Sequence, residues 1–181
     1  MKNSALLIVD VQVGLVGAPR HAYRGEEVVA RIKSLVESAR ASGTPVVFVQ
    51  HDGDEAGPVP PGSPGWHIHP EIAPAEGETV VRKRASDAFL GTTLRAELDA
   101  LGARRLFVVG LNTEYCVDTT CRSAISHGYD VTLVADAHTT TGNGVLTPAQ
   151  IVEHHNRTLD DFGTDEHVVT VLDSGEISFL A

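Results

Sequence analysis

Cysteine, tryptophan and methionine are scarce in this chain, and the first scarcity already narrows its class. Two cysteines, one methionine and one tryptophan stand among 181 residues, and aromatic residues make up 5%. Cys116 and Cys121 are five positions apart; on one helix they point in different directions, so no disulfide is expected between them. A reducing cytoplasm is the expected compartment. The absence of any CxxC pair removes thiol–disulfide exchange and a zinc ribbon from consideration. Basic residues are also few: 14 Lys and Arg against 24 Asp and Glu leave a net charge of −10. Such a chain offers no broad surface to phosphates, so no nucleic-acid partner is expected. At the start, Lys2 is followed by only five apolar residues before Asp10, too few for a signal peptide or a membrane span. No membrane partner is expected. Neither GxGxxG after the first strand nor GxxxxGK[ST] occurs, so the usual dinucleotide and nucleotide loops are missing; without GxSxG the usual α/β serine hydrolase is disfavoured.

What is present is an ordinary globular composition, 42% hydrophobic and 21% charged, in a length that suits a single domain over residues 1–181. Short apolar runs at 4–9, 45–50, 79–82, 105–110, 130–135 and 167–172 read as strands. Between them, apolar residues recur at helical spacing over 26–41, over 89–101, from Val117 to Ile125, and from Ile151 to Phe162 behind Pro148. Strands alternating with helices predict an α/β domain with a mostly parallel sheet. Two segments fall outside that rhythm. Gly14, Gly17 and Pro19 mark a loop after Asp10-Val-Gln12. Residues 51–78 carry six of the nine prolines and the only tryptophan, and a connection of that length predicts an ordered active-site flap.

Residues 108–124, VVGLNTEYCVDTTCRSA, form the chemical focus. An apolar run ends in a glycine, crosses a short polar turn and reaches Cys116 where a helix begins. Asp10 follows the first strand and Lys83 the third. In open α/β sheets, ligands and catalytic groups collect beyond the carboxyl ends of strands. A cation and a helix N-terminus activate a thiol, and a carboxylate can take its proton and pass it to a leaving nitrogen. Composition and spacing leave plainer readings open: Cys116 as a small buried hydrophobe, Asp10 as a turn residue, and Lys83 as a solvated member of the run Arg82-Lys83-Arg84. Cys121 shares an apolar face with Val117 and Ala124 and reads as a packed core thiol. His51, Asp52, His67 and His69 are metal-ligand types, yet nothing in their spacing fixes a chelating set. Asp136 and His138 fall just past the fifth strand, where they either line a pocket or cap a turn.

With these motifs the chain resembles the isochorismatase-like cysteine hydrolases, a superfamily that includes nicotinamidases, N-carbamoylsarcosine amidase and streptothricin hydrolase. The matching pieces are LLIVDVQ, VVRKRASDAF, the 108–124 stretch and GYDVTLVADAHTT, in that order. The resemblance implies a three-layer αβα sandwich, with a six-stranded sheet in the order 3-2-1-4-5-6. It implies a triad in which Cys116 is the nucleophile, Asp10 the general acid and base, and Lys83 the residue that lowers the thiol pKa. It places a non-proline cis peptide at Leu111–Asn112, with the N–H groups of Asn112 and Cys116 as the oxyanion hole, and it makes Trp66, Phe89, Tyr115 and His138 pocket walls. The implied reaction is hydrolysis of a C–N bond in a small amide, lactam or carbamoyl compound through a thioester. No cofactor is expected, and the implied assembly is a homodimer or homotetramer. Nicotinamidases carry Asp-x-His and a further His around a metal after the second strand; here the segment is Gln50-His-Asp-Gly-Asp54, so no metal is expected and nicotinamide is disfavoured. Isochorismatases acting on a vinyl ether often lack the cysteine, so Cys116 disfavours that alternative, and the complete triad disfavours a non-catalytic binding protein on the same fold.

Overall fold

The alternation of apolar runs and amphipathic segments resolves, in a computed structural model describing residues 3–18 and 20–179, into one sheet with helices on both faces. Pro19 of the first loop lies outside the described residues. The strands are β1 (Ser4–Val9), β2 (Val46–His51), β3 (Thr79–Lys83), β4 (Arg105–Leu111), β5 (Asp130–Thr139) and β6 (Val169–Leu172). They stand in the order β3-β2-β1-β4-β5-β6, and every neighbouring pair is parallel. The helices are α1 (Val13–Val16), α2 (Gly25–Ser42), α3 (Leu94–Ala100), α4 (Asp118–Ser126) and α5 (Pro148–Leu159). This is the architecture that the resemblance implies.

Side chains alternate across a strand, so each central strand feeds two cores. From β1, Leu6 and Ile8 join Val28, Ile32 and Val36 of α2 on one face. Leu7 and Val9 join Leu94 and Leu98 of α3 and Cys121 and Ala124 of α4 on the other. Each large aliphatic side chain buried this way contributes roughly 1.5–3 kcal/mol. The sequence expectation for Cys121, a packed core thiol, matches its place there. Helix ends follow local chemistry. Gly43 takes a positive φ of 72° and its N–H closes α2 on the carbonyls of Ala39 and Arg40. Thr147 and Gln150 form a reciprocal capping box at α5, with Pro148 in its first turn.

The short helix α1 stands where the sequence predicts only a loop, and two longer elements also differ from expectation. The helix expected over 89–101 begins only at Leu94. Ahead of it, Asp87 accepts from the Phe89 N–H at 2.8 Å and the Thr92 hydroxyl donates to the Ala88 carbonyl at 2.6 Å. These local bonds hold the backbone in turns instead of a helix. Strand β5 also runs past Ala135 to Thr139, because a register shift between Val108 and Gly110 lets it pair with the end of β4. Asp136 and His138 therefore lie within the strand, not beyond it. Gly110 sits at this junction with φ 129°, and a Cβ there would fall 1.9 Å from the Val9 carbonyl oxygen. Only glycine lets β1 and β4 come this close at their carboxyl ends.

Candidate active site

Three strand ends converge beyond that junction. Asp10 directly follows β1, has a positive φ of 52°, and is fully buried. Lys83 closes β3 and is also buried, with Nζ 2.7 Å from Asp10 Oδ2. The same ammonium donates to Cys116 Sγ at 3.2 Å and to the Ala85 carbonyl at 2.8 Å. An ammonium has three N–H donors, so each of these partners can take one. Cys116 lies in a single π-helical turn, Thr113–Val117, that precedes α4, so it stands one turn ahead of the helix rather than on it. The Leu111–Asn112 peptide leading into this turn is cis. Asp10, Lys83 and Cys116, proposed from separate stretches of sequence, are thus brought into one cluster.

The electrostatics of the cluster refine the expected role of the lysine. Burial raises the Asp10 pKa above its usual 3.8, although Lys83 and the thiol pull the other way. The charges of Asp10 and Cys116 outweigh burial at Lys83, so it stays an ammonium. Burial first, and the Asp10 charge second, push the Cys116 thiol up to about 12; Lys83 lowers it without offsetting them. The resemblance implies a thiol pKa lowered by Lys83, whereas here burial and the Asp10 charge together leave it raised. Burial and Lys83 also depress His51, whose Nδ1 faces Lys83 Nζ at 3.5 Å, which leaves a neutral imidazole on the cavity wall.

A cavity of about 460 Å³ opens over Asp10 and Cys116. Its walls include Leu15, His51, Ser86 and Asn112, with Pro58 and Val59 from the segment after β2. Tyr115, one of the four residues that the resemblance makes pocket walls, lines it. The other three expected wall residues are elsewhere. Trp66 donates from Nε1 to Asp52 at 2.9 Å, lies under the Arg82 guanidinium, and holds the flap together. Phe89 packs on His127 and Tyr129 within the core. His138 is buried between Thr113 and Asn156. Asp52, considered as a metal ligand, is taken up by Trp66 and Arg82. Among the described residues no group of three or more His, Cys, Asp or Glu could hold a metal ion.

Sequence reasoning missed Gln12. Its Nε2 donates to the carbonyls of His51 and Trp66, at 3.0 and 2.7 Å, and its Oε1 accepts from the His51 N–H at 2.9 Å. A buried side-chain amide here behaves as an extra peptide unit that ties the ends of β1 and β2 to the flap. Its signal, a polar amide two residues past a strand-end carboxylate, was visible, but its partners are far along the chain. His51, Ser86 and Thr113 were likewise not singled out for the cavity or its supports.

The isochorismatase domain family matches residues 4–161. Streptothricin hydrolase of Streptomyces noursei is 40% identical over 136 residues, covering 75% of this chain and 49% of that protein. The chain thus spans about half the length of that relative. The ureidoacrylate amidohydrolase RutB of Variovorax paradoxus (strain S110) is 30% identical, covering 88% of this chain and 80% of that protein. Among solved structures, an isochorismatase from Pseudomonas putida KT2440 aligns with a TM-score of 0.87 at 31% identity, covering 97% of this chain and 90% of that one. No helix among the described residues is long and apolar enough to cross a membrane.

Proposed function

Because this chain belongs to the isochorismatase-like cysteine hydrolase superfamily, we propose that it hydrolyses a C–N bond in a small amide, lactam or carbamoyl compound, with Cys116 as nucleophile, Asp10 as general acid and base, and Lys83 as fixed countercharge. The observation that carries this reading is the single cluster in which Lys83 Nζ sits 2.7 Å from Asp10 Oδ2 and 3.2 Å from Cys116 Sγ. The relatives named as streptothricin hydrolase and ureidoacrylate amidohydrolase support hydrolysis as the reaction class. A cavity of about 460 Å³ lies within the range of small-molecule sites.

The cluster supports a two-step cycle. Asp10 takes the thiol proton as Cys116 sulfur attacks the carbonyl carbon. Charge that develops on the carbonyl oxygen is met by the N–H groups of Asn112 and Cys116. Protonated Asp10 gives its proton to the departing nitrogen, and the C–N bond breaks to leave a thioester. Asp10 then deprotonates a water molecule, the resulting oxygen attacks the thioester, and the sulfur leaves and regains its proton from Asp10. Lys83 remains an ammonium throughout and accompanies whichever of the two partners is negative. A thiol that rests protonated suits this sequence, because the base that removes its proton is already beside it.

The test is release of ammonia or amine across a panel of small amides, lactams and carbamoyl compounds, run beside C116A. The wild type is expected to release product from at least one class, and C116A to fall by roughly 10³-fold or more. Turnover that survives in C116A would exclude the thioester route, and silence across the whole panel would exclude the substrate class.

A further inference from the structure

We propose that Thr113, His138 and Asn156 form a positioning relay that holds the turn carrying Asn112 and Cys116 against β5 and α5. The inference rests on the role proposed above for that turn. His138 stands opposite Gly110 in the β4–β5 pairing, is 2% exposed, and does not line the cavity. Its Nε2 is 2.8 Å from Asn156 Oδ1, and its Nδ1 is 2.9 Å from Thr113 Oγ1. Thr113 is itself fully buried and follows Asn112 directly.

The direction of these bonds is determined by elimination. Asn156 Nδ2 donates to the Ala135 carbonyl at 3.1 Å, which turns Oδ1 of the same amide toward the imidazole. An amide oxygen only accepts, so Nε2 carries the ring proton. A neutral imidazole with its proton on Nε2 has a lone pair on Nδ1, so the Thr113 hydroxyl donates to it. Burial also depresses the His138 pKa, to about 4, in keeping with a neutral ring at neutral pH. The chain of donors therefore runs from Thr113 through His138 to Asn156, and the other half of the Asn156 amide is anchored on the β5 backbone.

A sheet face filled by Val, Leu and Ala could take another aliphatic residue at position 138. A buried imidazole is costly unless both nitrogens are paired, and it is worth retaining where it fixes something directional. Here it fixes the first residue of the π-helical turn. Displacing a reacting group by about 1 Å can cost a hundredfold in rate, so a restraint on Thr113 acts directly on the placement of Asn112 N–H and Cys116.

The experiment compares the wild type with T113V, which keeps the shape and removes the hydroxyl, T113S, which returns it, and N156A, which removes the acceptor of the ring proton from a partly exposed helix position. Three quantities are read: kcat and KM on the best amide of the panel, the pH profile of Cys116 alkylation by iodoacetamide with the site assigned by mass spectrometry, and Tm. T113V is expected to lose roughly tenfold to a hundredfold in kcat with KM within threefold, and T113S to return to within threefold of wild type. The midpoint of the alkylation profile should move in T113V and N156A, because Sγ shifts relative to Lys83 and Asp10. A purely structural role would lower Tm and leave that midpoint in place. If T113V does not fold, N156A decides. Unchanged kcat and an unchanged alkylation midpoint in the folded variants would overturn the relay, as would a T113S that stays as slow as T113V. If the wild type releases nothing from any amide, the proposed reaction fails, while the alkylation profiles still decide the relay.

Discussion

Residues 108–124 and residues 51–78 border the same cavity, one carrying the thiol and the other supplying the wall above it. In the first, Val108, Val109, Leu111, Val117, Cys121 and Ala124 are all sunk into the two cores of the sheet. In the second, Val59 and Ile72 are the buried apolar residues, Ile68 packs partly buried against one core, and much of the remaining hold is polar. Gln12 and Gln50 both donate to the Trp66 carbonyl, Trp66 donates to Asp52, and the N–H of Val13 reaches the His67 carbonyl. Gly14 and Gly65 let the Pro58 carbonyl lie directly on the chain, since a Cβ on either would come within 2.2 or 2.4 Å of its oxygen. Burial of this kind predicts that the segment carrying the thiol opens only with global unfolding, whereas the wall over it, held by fewer buried contacts, is expected to open locally. On the proposed function, chemistry and substrate choice would then fall to regions of different stiffness.

That contrast can be broken or sharpened by substitution. The largest effect is expected from K83M, which leaves Asp10 buried without its countercharge. Hydrolysis should be lost, and stability at neutral pH should fall by about 3–5 kcal/mol. Denaturant titrations across pH should show the deficit shrinking in acid, as Asp10 takes up a proton and its burial ceases to be penalised. Equal stability of K83M and wild type at neutral pH would mean that the cluster is not rigidly held. Next comes His138, whose pKa is lowered from 6.5 to about 4 in the folded chain. A group depressed on folding makes the unfolded state the better proton acceptor in acid. Its contribution is complete above pH 6.5 and is lost as pH falls toward 4, up to about 3 kcal/mol. Urea melts of H138Q against wild type over that window should show a flatter pH dependence in the variant.

Smaller effects belong to the flap. Q12L removes the amide that joins β1, β2 and Trp66, for an expected loss of about 2 kcal/mol. The diagnostic sign is local: faster proteolytic cleavage within 51–78 and a raised KM, with kcat within a few-fold. A kcat loss as large as that of K83M would merge the two regions into one unit. W66F removes the bond to Asp52 and weakens the Arg82 stacking, and is expected to cost about 1 kcal/mol, with kcat/KM within threefold. A larger fall in kcat/KM would return Trp66 to the cavity wall.

The strands were legible in the sequence because they depend on local signals, while their order and the meeting of Asp10, Lys83 and Cys116 came through the family resemblance. An apolar run ending at a single polar residue marks a strand end, and four motifs in a fixed order carry the family resemblance. The misreadings share another cause. Trp66 and Phe89 are pocket walls by the resemblance, yet Trp66 is oriented by Asp52 and Arg82 and Phe89 by Tyr129 and His127. The start of α3 was misplaced because Asp87 and Thr92 compete with the helix for backbone groups, an effect that leucine spacing does not register. Gln12 and Thr113 were overlooked because their partners lie 39 and 25 positions away in the chain.

The Lys83 ammonium has one further consequence. In the proposed cycle it starts in one compartment beside a carboxylate, a neutral thiol and a neutral His51, so the charges of these four groups sum to zero. Passing the proton from sulfur to Asp10 only rotates a dipole inside that compartment, and passing the negative charge on to the carbonyl oxygen leaves the sum at zero. In the proposed cycle no step deposits a net ion in a medium that solvates ions poorly. Bulk salt, which reaches only the rim, has no monopole there to screen. On the proposed cycle, a substrate with a formal charge next to the scissile bond is expected to turn over more slowly than its neutral analogue.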